Sequence, residues 1–160
     1  MATTDAFARL MGTKSAANVL VGQTMIGAGP HVSTAMNMGS SGADADHGLT
    51  PFNHGFGAIS SKQLRVKAVV TVAIDNLTSI IFNLRQGSDD PLTADLVTLY
   101  STPPILLADV DAIGDVIMDI PLPEVTDQFL DLQAVITGAA PAAGAVAAFI
   151  QLATGKGHGL

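Results

Sequence analysis

The sequence of 160 residues contains no cysteine and no tryptophan, and it has only one tyrosine. The absence of cysteine excludes disulfide bonds, thiol nucleophiles and cysteine-ligated zinc. Basic residues are also scarce, with seven Lys and Arg against fourteen Asp and Glu, for a net charge of −7. Because nucleic-acid binding needs a concentrated positive surface, the composition predicts that the protein binds no nucleic acid.

Residues that could form a catalytic or metal site are few. The four histidines have neither HxH nor HxxxH spacing, which would place two imidazoles on one side of a strand or helix. Asp44 and Asp46 resemble the start of a calcium loop, but Leu49 and Gly55 stand where that loop requires glycine and glutamate. No GxSxG elbow occurs. The sequence predicts a protein that is not an enzyme and has no catalytic, metal-binding or cofactor-binding residues.

One uncharged stretch, from Leu132 to Gly155, is long enough to cross a bilayer as a helix. Its centre contains Gly138, Pro141 and Gly144, which weaken a continuous helix, and no basic flank or aromatic belt brackets it. A helix over 142–154 stays an alternative, since alanine favours helices. The preferred interpretation is two strands joined by the turn GAAPAAG, and no contact with a membrane.

Alternation of apolar and polar residues with a period of two predicts strands over most of the chain after residue 63. Five segments show this alternation: LRVKAVVTVAI, IIFNLRQ, VIMDIPL, FLDLQAVIT and AVAAFIQLA. The pattern places Val72 and Val116 on the apolar faces of their strands, and it places Asp131 on an outer face. The outward Ala145 and Ala147 suggest a surface covered by another copy of the chain. Short strands separated by turns predict an all-β sandwich or barrel.

The first sixty residues are glycine-rich and irregular. The apolar spacing in residues 5–11 predicts a short helix with Phe7, Leu10 and Met11 on one side. Short strands are predicted around 18–21 and 31–38. The segment FNHGF contains Phe52, His54 and Phe56; aromatic side chains in loops often mark contacts with a partner.

The order of five segments resembles the capsid cement (decoration) proteins of tailed phages, of the Bordetella phage type. The segments are HVSTAMNMGSSG, LRVKAVVTVAI, IIFNLRQGSDDPL, IPLPEV and QFLDLQAVITGAAPAAGAVAAFIQL. The family has a serine- and asparagine-containing stretch before the sandwich, a strand ending in SDD, a PLP strand end, and a penultimate strand of the form YLxLxYxVxG. This chain has Phe129 where tyrosine is common, and Ala35-Met36-Asn37 where the family places polar residues.

The resemblance implies a jelly-roll β-sandwich with an irregular N-terminal arm and long loops. It divides the chain into an arm or short helix over 1–30, a jelly-roll domain over 31–155 and a flexible tail over 156–160. It also implies a structural virion protein, made in the bacterial cytoplasm, that clamps neighbouring subunits of the major capsid protein on the capsid exterior.

In this interpretation the partners are the major capsid protein and other copies of the chain, as a dimer or trimer. The candidate contact residues are Phe7, Leu10, Phe52, His54 and Phe56. The segment 1–60 is expected to become ordered only on the capsid or against neighbouring copies. The alternative function is a carbohydrate- or receptor-binding β-sandwich module of a phage particle.

Overall fold

A computed structural model describes residues 9–11, 13–14, 20–37, 64–89, 91–93, 95–123, 125 and 127–152. The regular secondary structure of this part of the chain is β-strand, apart from one short 3-10 helix at Leu107–Asp109. The strands are β1 (Arg9–Met11), β2 (Thr13–Lys14), β3 (Leu20–Val21), β4 (Gln23–Thr24), β5 (Pro30–Val32), β6 (Met36–Asn37), β7 (Leu64–Val72), β8 (Ser79–Gly87), β9 (Val97–Ser101), β10 (Ile105–Leu106), β11 (Val116–Pro121), β12 (Phe129–Thr137) and β13 (Ala145–Leu152). The predicted all-β sandwich is confirmed.

The first sheet has the strand order β1-β13-β7-β11, and β4 pairs with β13 beyond the end of β1. All of its pairings are antiparallel. Because β1 and β4 follow one another along the same edge of β13, together they fill one strand position. The chain between them forms the small hairpin of β2 and β3.

The second sheet has the strand order β10-β8-β12-β5 and is also antiparallel. Both of its edges are built from two short strands in line. The strands β9 and β10 share one edge of β8, and β5 and β6 share one edge of β12. The sheet is therefore four strand positions wide, like the first.

The core lies between the two sheets and contains the residues that the alternating pattern places inward. Phe82, Leu130 and Leu132 from the second sheet are fully buried, as are Val66 and Val146 from the first. The burial pattern of β8 alternates along its first six residues, as expected for a strand with one face on the core. The prediction of apolar inner faces is confirmed for these strands.

The uncharged stretch 132–152 forms the end of β12, a turn and β13, as predicted, and the alternative helix over 142–154 is wrong for the residues described there. Gly138 and Gly144 bound the turn with φ angles of 99° and 144°, which residues with a Cβ rarely adopt. In the described part of the chain, no helix is long and apolar enough to span a membrane.

The strands β1 and β13 each differ from their prediction in one respect. Arg9–Met11, expected to end a short helix, is the strand β1, because its pairing with β13 overrides local helical spacing. Ala145 and Ala147 are buried within the single chain, at 6% and 0% exposure, so the suggestion that another copy covers them is wrong. Gly22 lies against β13, and a Cβ on this glycine would lie 2.8 Å from Val146 N.

Candidate interaction site

Most of the contact residues predicted from the sequence lie outside the described part of the chain. This holds for Phe7, Phe52, His54 and Phe56. Leu10 lies in β1, where the structure describes its backbone but not its side chain. These residues remain predictions. The described residues instead reveal a different surface, which the sequence pattern did not indicate.

A β-bulge near the end of β7 turns Val72 outward. Val70 pairs with Val146 and Val72 with Ala145, so that Thr71 is an extra residue in β7. After such an insertion the alternation of side chains reverses. Val72, predicted on the inner face with Val70, is therefore 47% exposed beside the outward-facing Ala145.

A second bulge, at the start of β11, has the same effect on Val116. Val116 pairs with Val69, and Met118 pairs with the next residue of β7, Ala68, so Ile117 is extra. Val69 faces outward, and Val116 follows it to the outer face of the first sheet at 53% exposure, while Met118 is buried. The prediction of an inward Val116 is wrong. The run of apolar residues from Val116 to Met118, which breaks the alternation, is the one sequence signal that could have revealed the bulge.

The loop before β11 brings Ile113 to the same place. Gly114 N donates a hydrogen bond to Val70 O, and Val70 N donates one to Asp115 O, both at 2.9 Å. These bonds hold the loop antiparallel to the end of β7, and this direction carries Ile113 towards Val72. Ile113 is 74% exposed. A large apolar side chain is thus held by backbone hydrogen bonds in contact with solvent.

Val21, the last residue of β3, lies on the other side of Thr71 and is 43% exposed. A Cβ on Gly22 would clash with the Thr71 hydroxyl, so the neighbouring Val21 lies close to the bulge. Four exposed apolar residues from four segments therefore lie on or beside the end of β7, at residues 69–72. We call Val21, Val72, Ile113 and Val116 the apolar patch.

Charges around the apolar patch are mainly negative. Asp111 and Asp115 lie two residues on either side of Ile113 in the sequence, and Asp109 precedes them in the same loop. Farther along the outer face, Arg65 Nε donates to Asp119 Oδ1 at 2.6 Å, so that these two charges offset each other. Lys67 pairs in register with Asp119 across the strands. The side of the patch formed by the loop is acidic.

The outer face of the second sheet has a network of polar side chains. Ser101 Oγ donates to Asn83 Oδ1 at 2.7 Å, and Asn83 Nδ2 donates to Gln133 Oε1 at 3.3 Å, which links three neighbouring strands. Large exposed apolar side chains on this face lie towards its two edges, where Val32 is opposite Gln133 and Leu106 is opposite Ser79. The polar network separates these two side chains, and it distinguishes this face from the apolar patch.

A buried ion pair lies on the same outer face. Arg85 Nε donates to Asp131 Oδ1 at 2.9 Å and Arg85 Nη2 to Oδ2 at 2.5 Å. Asp131 lies on the outer face of β12, as predicted, yet it is only 1% exposed. The segments that include Ser33 and Leu92 lie alongside it.

The ion pair borders a cleft of about 430 Å³ between those two segments. The cleft also contains the hydroxyls of Ser33 and Thr34, and Ser33 Oγ accepts a hydrogen bond from Leu132 N at 2.9 Å. The two opposite charges at its floor are satisfied by each other, so they stabilise the sheet more than they offer a reactive group.

Metal ligands are not gathered anywhere in the described part of the chain: no group of three or more His, Asp or Glu residues could hold an ion there. His31 is the one histidine in this part, and its Nε2 lies 3.4 Å from Gly27 O. His47, His54 and His158 lie outside it.

No protein-family model matches the chain, and no curated protein matches it either. The likeness to capsid cement proteins therefore remains a prediction from the order of short sequence segments. The geometry of the apolar patch is an independent observation, obtained from strand register and exposure alone.

Proposed function

We propose that this protein is a structural virion protein, a capsid decoration or cement protein. In this role it binds the outer surface of an icosahedral phage capsid and clamps neighbouring major capsid subunits, and it also contacts other copies of itself. It acts by burying surface area against the capsid subunits and not by catalysis. The protein would be made in the bacterial cytoplasm and would act on the capsid exterior.

The strand pairing supports the jelly-roll form of sandwich that this proposal includes. If β1 with β4, β5 with β6, and β9 with β10 each count as one strand, the two large sheets of the described residues have eight strands in sequence. The first then pairs with the eighth, the second with the seventh, the third with the sixth and the fourth with the fifth. This nesting of antiparallel pairs is what two Greek keys in a double sheet produce.

The observation that carries the proposal is the apolar patch. Monomeric soluble proteins seldom gather large exposed apolar side chains in one place, and such patches commonly mark binding sites for other proteins. Ile113 and Val116 are more than half exposed, and the backbone holds both in fixed positions. A rigid apolar surface on a sandwich suits a protein that binds a shell.

The test is to mix the purified protein with undecorated capsids of the phage that encodes it. Saturable binding at a fixed ratio to capsid subunits, together with a higher temperature of capsid disruption, is expected. A protein that does not cosediment with these capsids at any concentration tested would rule the proposal out.

The polar outer face of the second sheet favours a second candidate, a carbohydrate-binding module. Asn83, Gln133 and Ser101 offer amide and hydroxyl groups of the kind that bind sugar hydroxyls. However, these groups already bond to one another, which lowers what they can offer to a ligand. Binding to a glycan array that is lost in Asn83→Ala would favour this candidate over the first.

A further inference from the structure

We infer that the first sheet is the side that faces the shell, through the apolar patch. Its partner surface would be apolar at its centre and basic at its border. This inference rests on the proposed function, since it names the contact face and the chemistry of the partner. It also assigns the polar face of the second sheet to solvent.

The two bulges are the first argument, because they act together. Without them, Val72 and Val116 would point into the core with Val70 and Met118. Each bulge instead turns one valine to the same outer face, and both valines lie beside residues 69–72 of β7. Bulges commonly re-aim side chains at functional positions. Because each bulge exposes an apolar side chain, the two bulges reduce the apolar surface area that the chain buries in its own core.

The bulge in β7 has a further cost, which the fold alone does not explain. Thr71, the residue that it adds, has a buried hydroxyl oxygen without a hydrogen-bond partner in the described part of the chain. Leaving a buried hydroxyl unpaired costs about 1–3 kcal/mol. Departures from good local structure are typical of functional sites. The apolar patch is therefore built at the expense of stability.

Charge identifies the occupant of the patch. Asp109, Asp111 and Asp115 lie in the loop that presents Ile113, and the whole chain has a net charge of −7. Two copies that joined through their patches would bring these acidic loops close together, and like charges disfavour that contact. A surface with Lys or Arg side chains around an apolar centre would be attracted instead.

The experiment uses the absence of native cysteine, so that one introduced thiol reports on one position. Ile113→Cys and Val116→Cys place thiols in the patch. Val32→Cys on the second sheet and Val97→Cys on its edge are matched controls, at 42% and 48% exposure in the native side chains. Each variant is labelled with a maleimide, free and bound to undecorated capsids, after its thermal unfolding is shown to match that of the native chain.

On capsids, labelling at residues 113 and 116 should slow by about tenfold or more, because the core of an interface excludes solvent. Labelling at residues 32 and 97 should keep its free rate. Equal labelling of all four variants on and off the capsid, or slowing confined to the second sheet, would overturn the inference while capsid binding itself still supported the proposed function. If the native protein does not bind capsids, the proposed function fails first.

Salt and charge provide a second readout in the same capsid-binding assay. Binding should weaken as ionic strength rises, and Asp111→Asn should weaken it further and reduce its dependence on salt. The matched control is Asp127→Asn, which removes the same charge from the loop between β11 and β12 at the opposite end of β11. If Asp111→Asn binds more tightly than the native chain, the basic character of the partner is wrong.

Discussion

Gly144 has the backbone and the surroundings that only glycine tolerates. Its φ angle is 144°, and a Cβ there would lie 2.9 Å from Cγ1 of the buried Ile74. The sequence predicts this turn correctly, because glycine and proline cluster between two alternating segments. It does not reveal the close approach to Ile74, which depends on residues some seventy positions earlier.

The first prediction compares two glycines. Gly144→Ala should lower the free energy of unfolding by about 2 kcal/mol or more, since it combines backbone strain with a clash. Gly27→Ala is the control, because Gly27 also has a positive φ, 99°, but nothing lies within 4 Å of its Cβ position. Urea unfolding measures both. Equal losses would mean that the contact with Ile74 contributes nothing.

Asp131 shows what a local pattern can and cannot predict. Its alternation with Leu130 and Leu132 correctly places it on the outer face of β12. Its burial arises from segments around Ser33 and Leu92, which come from distant parts of the sequence. Neither its partner Arg85 nor its cover can be found from spacing within one strand.

The second prediction concerns this ion pair. Asp131→Ala should destabilise the protein by about 3–5 kcal/mol, because it leaves the buried Arg85 guanidinium without its counter-charge. The double variant Arg85→Met, Asp131→Leu should lose much less. For comparison, Asp119→Ala breaks the more exposed pair with Arg65 and should cost about 0–1 kcal/mol. The measurement is chemical unfolding. A double variant with a lower free energy of unfolding than Asp131→Ala would contradict this account.

At the scale of strands, hydroxyl side chains bridge the breaks in both edges of the second sheet. Thr102 N donates to Phe82 O, and Phe82 N donates to Thr102 Oγ1, each at 3.0 Å. Ser33 and Leu132 form the same pair of bonds on the opposite edge. In each case the hydroxyl accepts the hydrogen bond that the residue's own carbonyl would accept in a regular strand pair. The edge chain can therefore bend away while the backbone N–H of the inner strand keeps an acceptor.

The third prediction removes one of these bridges. Thr102→Val keeps the shape of the side chain but leaves the buried Phe82 N–H without an acceptor, which should cost about 1–3 kcal/mol. Thr98→Val changes an exposed residue of the adjacent strand β9 and should be nearly neutral. Thermal unfolding of the two variants checks the difference. A stable Thr102→Val would show that another acceptor replaces the hydroxyl.

Periodicity predicts the long strands well and the bulges poorly. The strands β7, β8, β11, β12 and β13 all lie where the alternation places them. The bulges opposite Val69 and Ala145 are properties of strand pairs, and within a single strand only the apolar run at 116–118 indicates one of them. The apolar patch depends on both bulges, and for this reason it could not be predicted from the sequence.

At the scale of the whole molecule, most of the described strands within the first sixty residues belong to the two sheets of the sandwich, and β2 and β3 form a separate hairpin. The strands β1 and β4 pair with β13, and β5 pairs with β12. These pairings form within a single chain, which argues against the expectation that the whole segment 1–60 becomes ordered only on a capsid. That expectation stays a prediction, which hydrogen exchange tests.

The fourth prediction follows for hydrogen exchange in the free protein. Amides of β7, β8, β12 and β13 should exchange most slowly, since these strands have neighbours on both sides. Amides of β5 that bond to β12 should be slower than those of an unstructured peptide, though faster than those of the central strands. Mass spectrometry of peptic peptides measures this order. Exchange of β5 at the rate of an unfolded chain would contradict the pairing.

The position of β13 between β1 and β7 has a consequence for how the protein is made. Ribosomes synthesise β13 last of all the described strands, yet it is a central strand of its sheet. Until it emerges, β1, β4 and β7 have open edges and the first sheet cannot close. Contacts between such distant parts of a chain form slowly, and unpaired edges favour aggregation. The nascent protein should therefore depend on chaperones, and high-level expression should favour inclusion bodies at higher temperature.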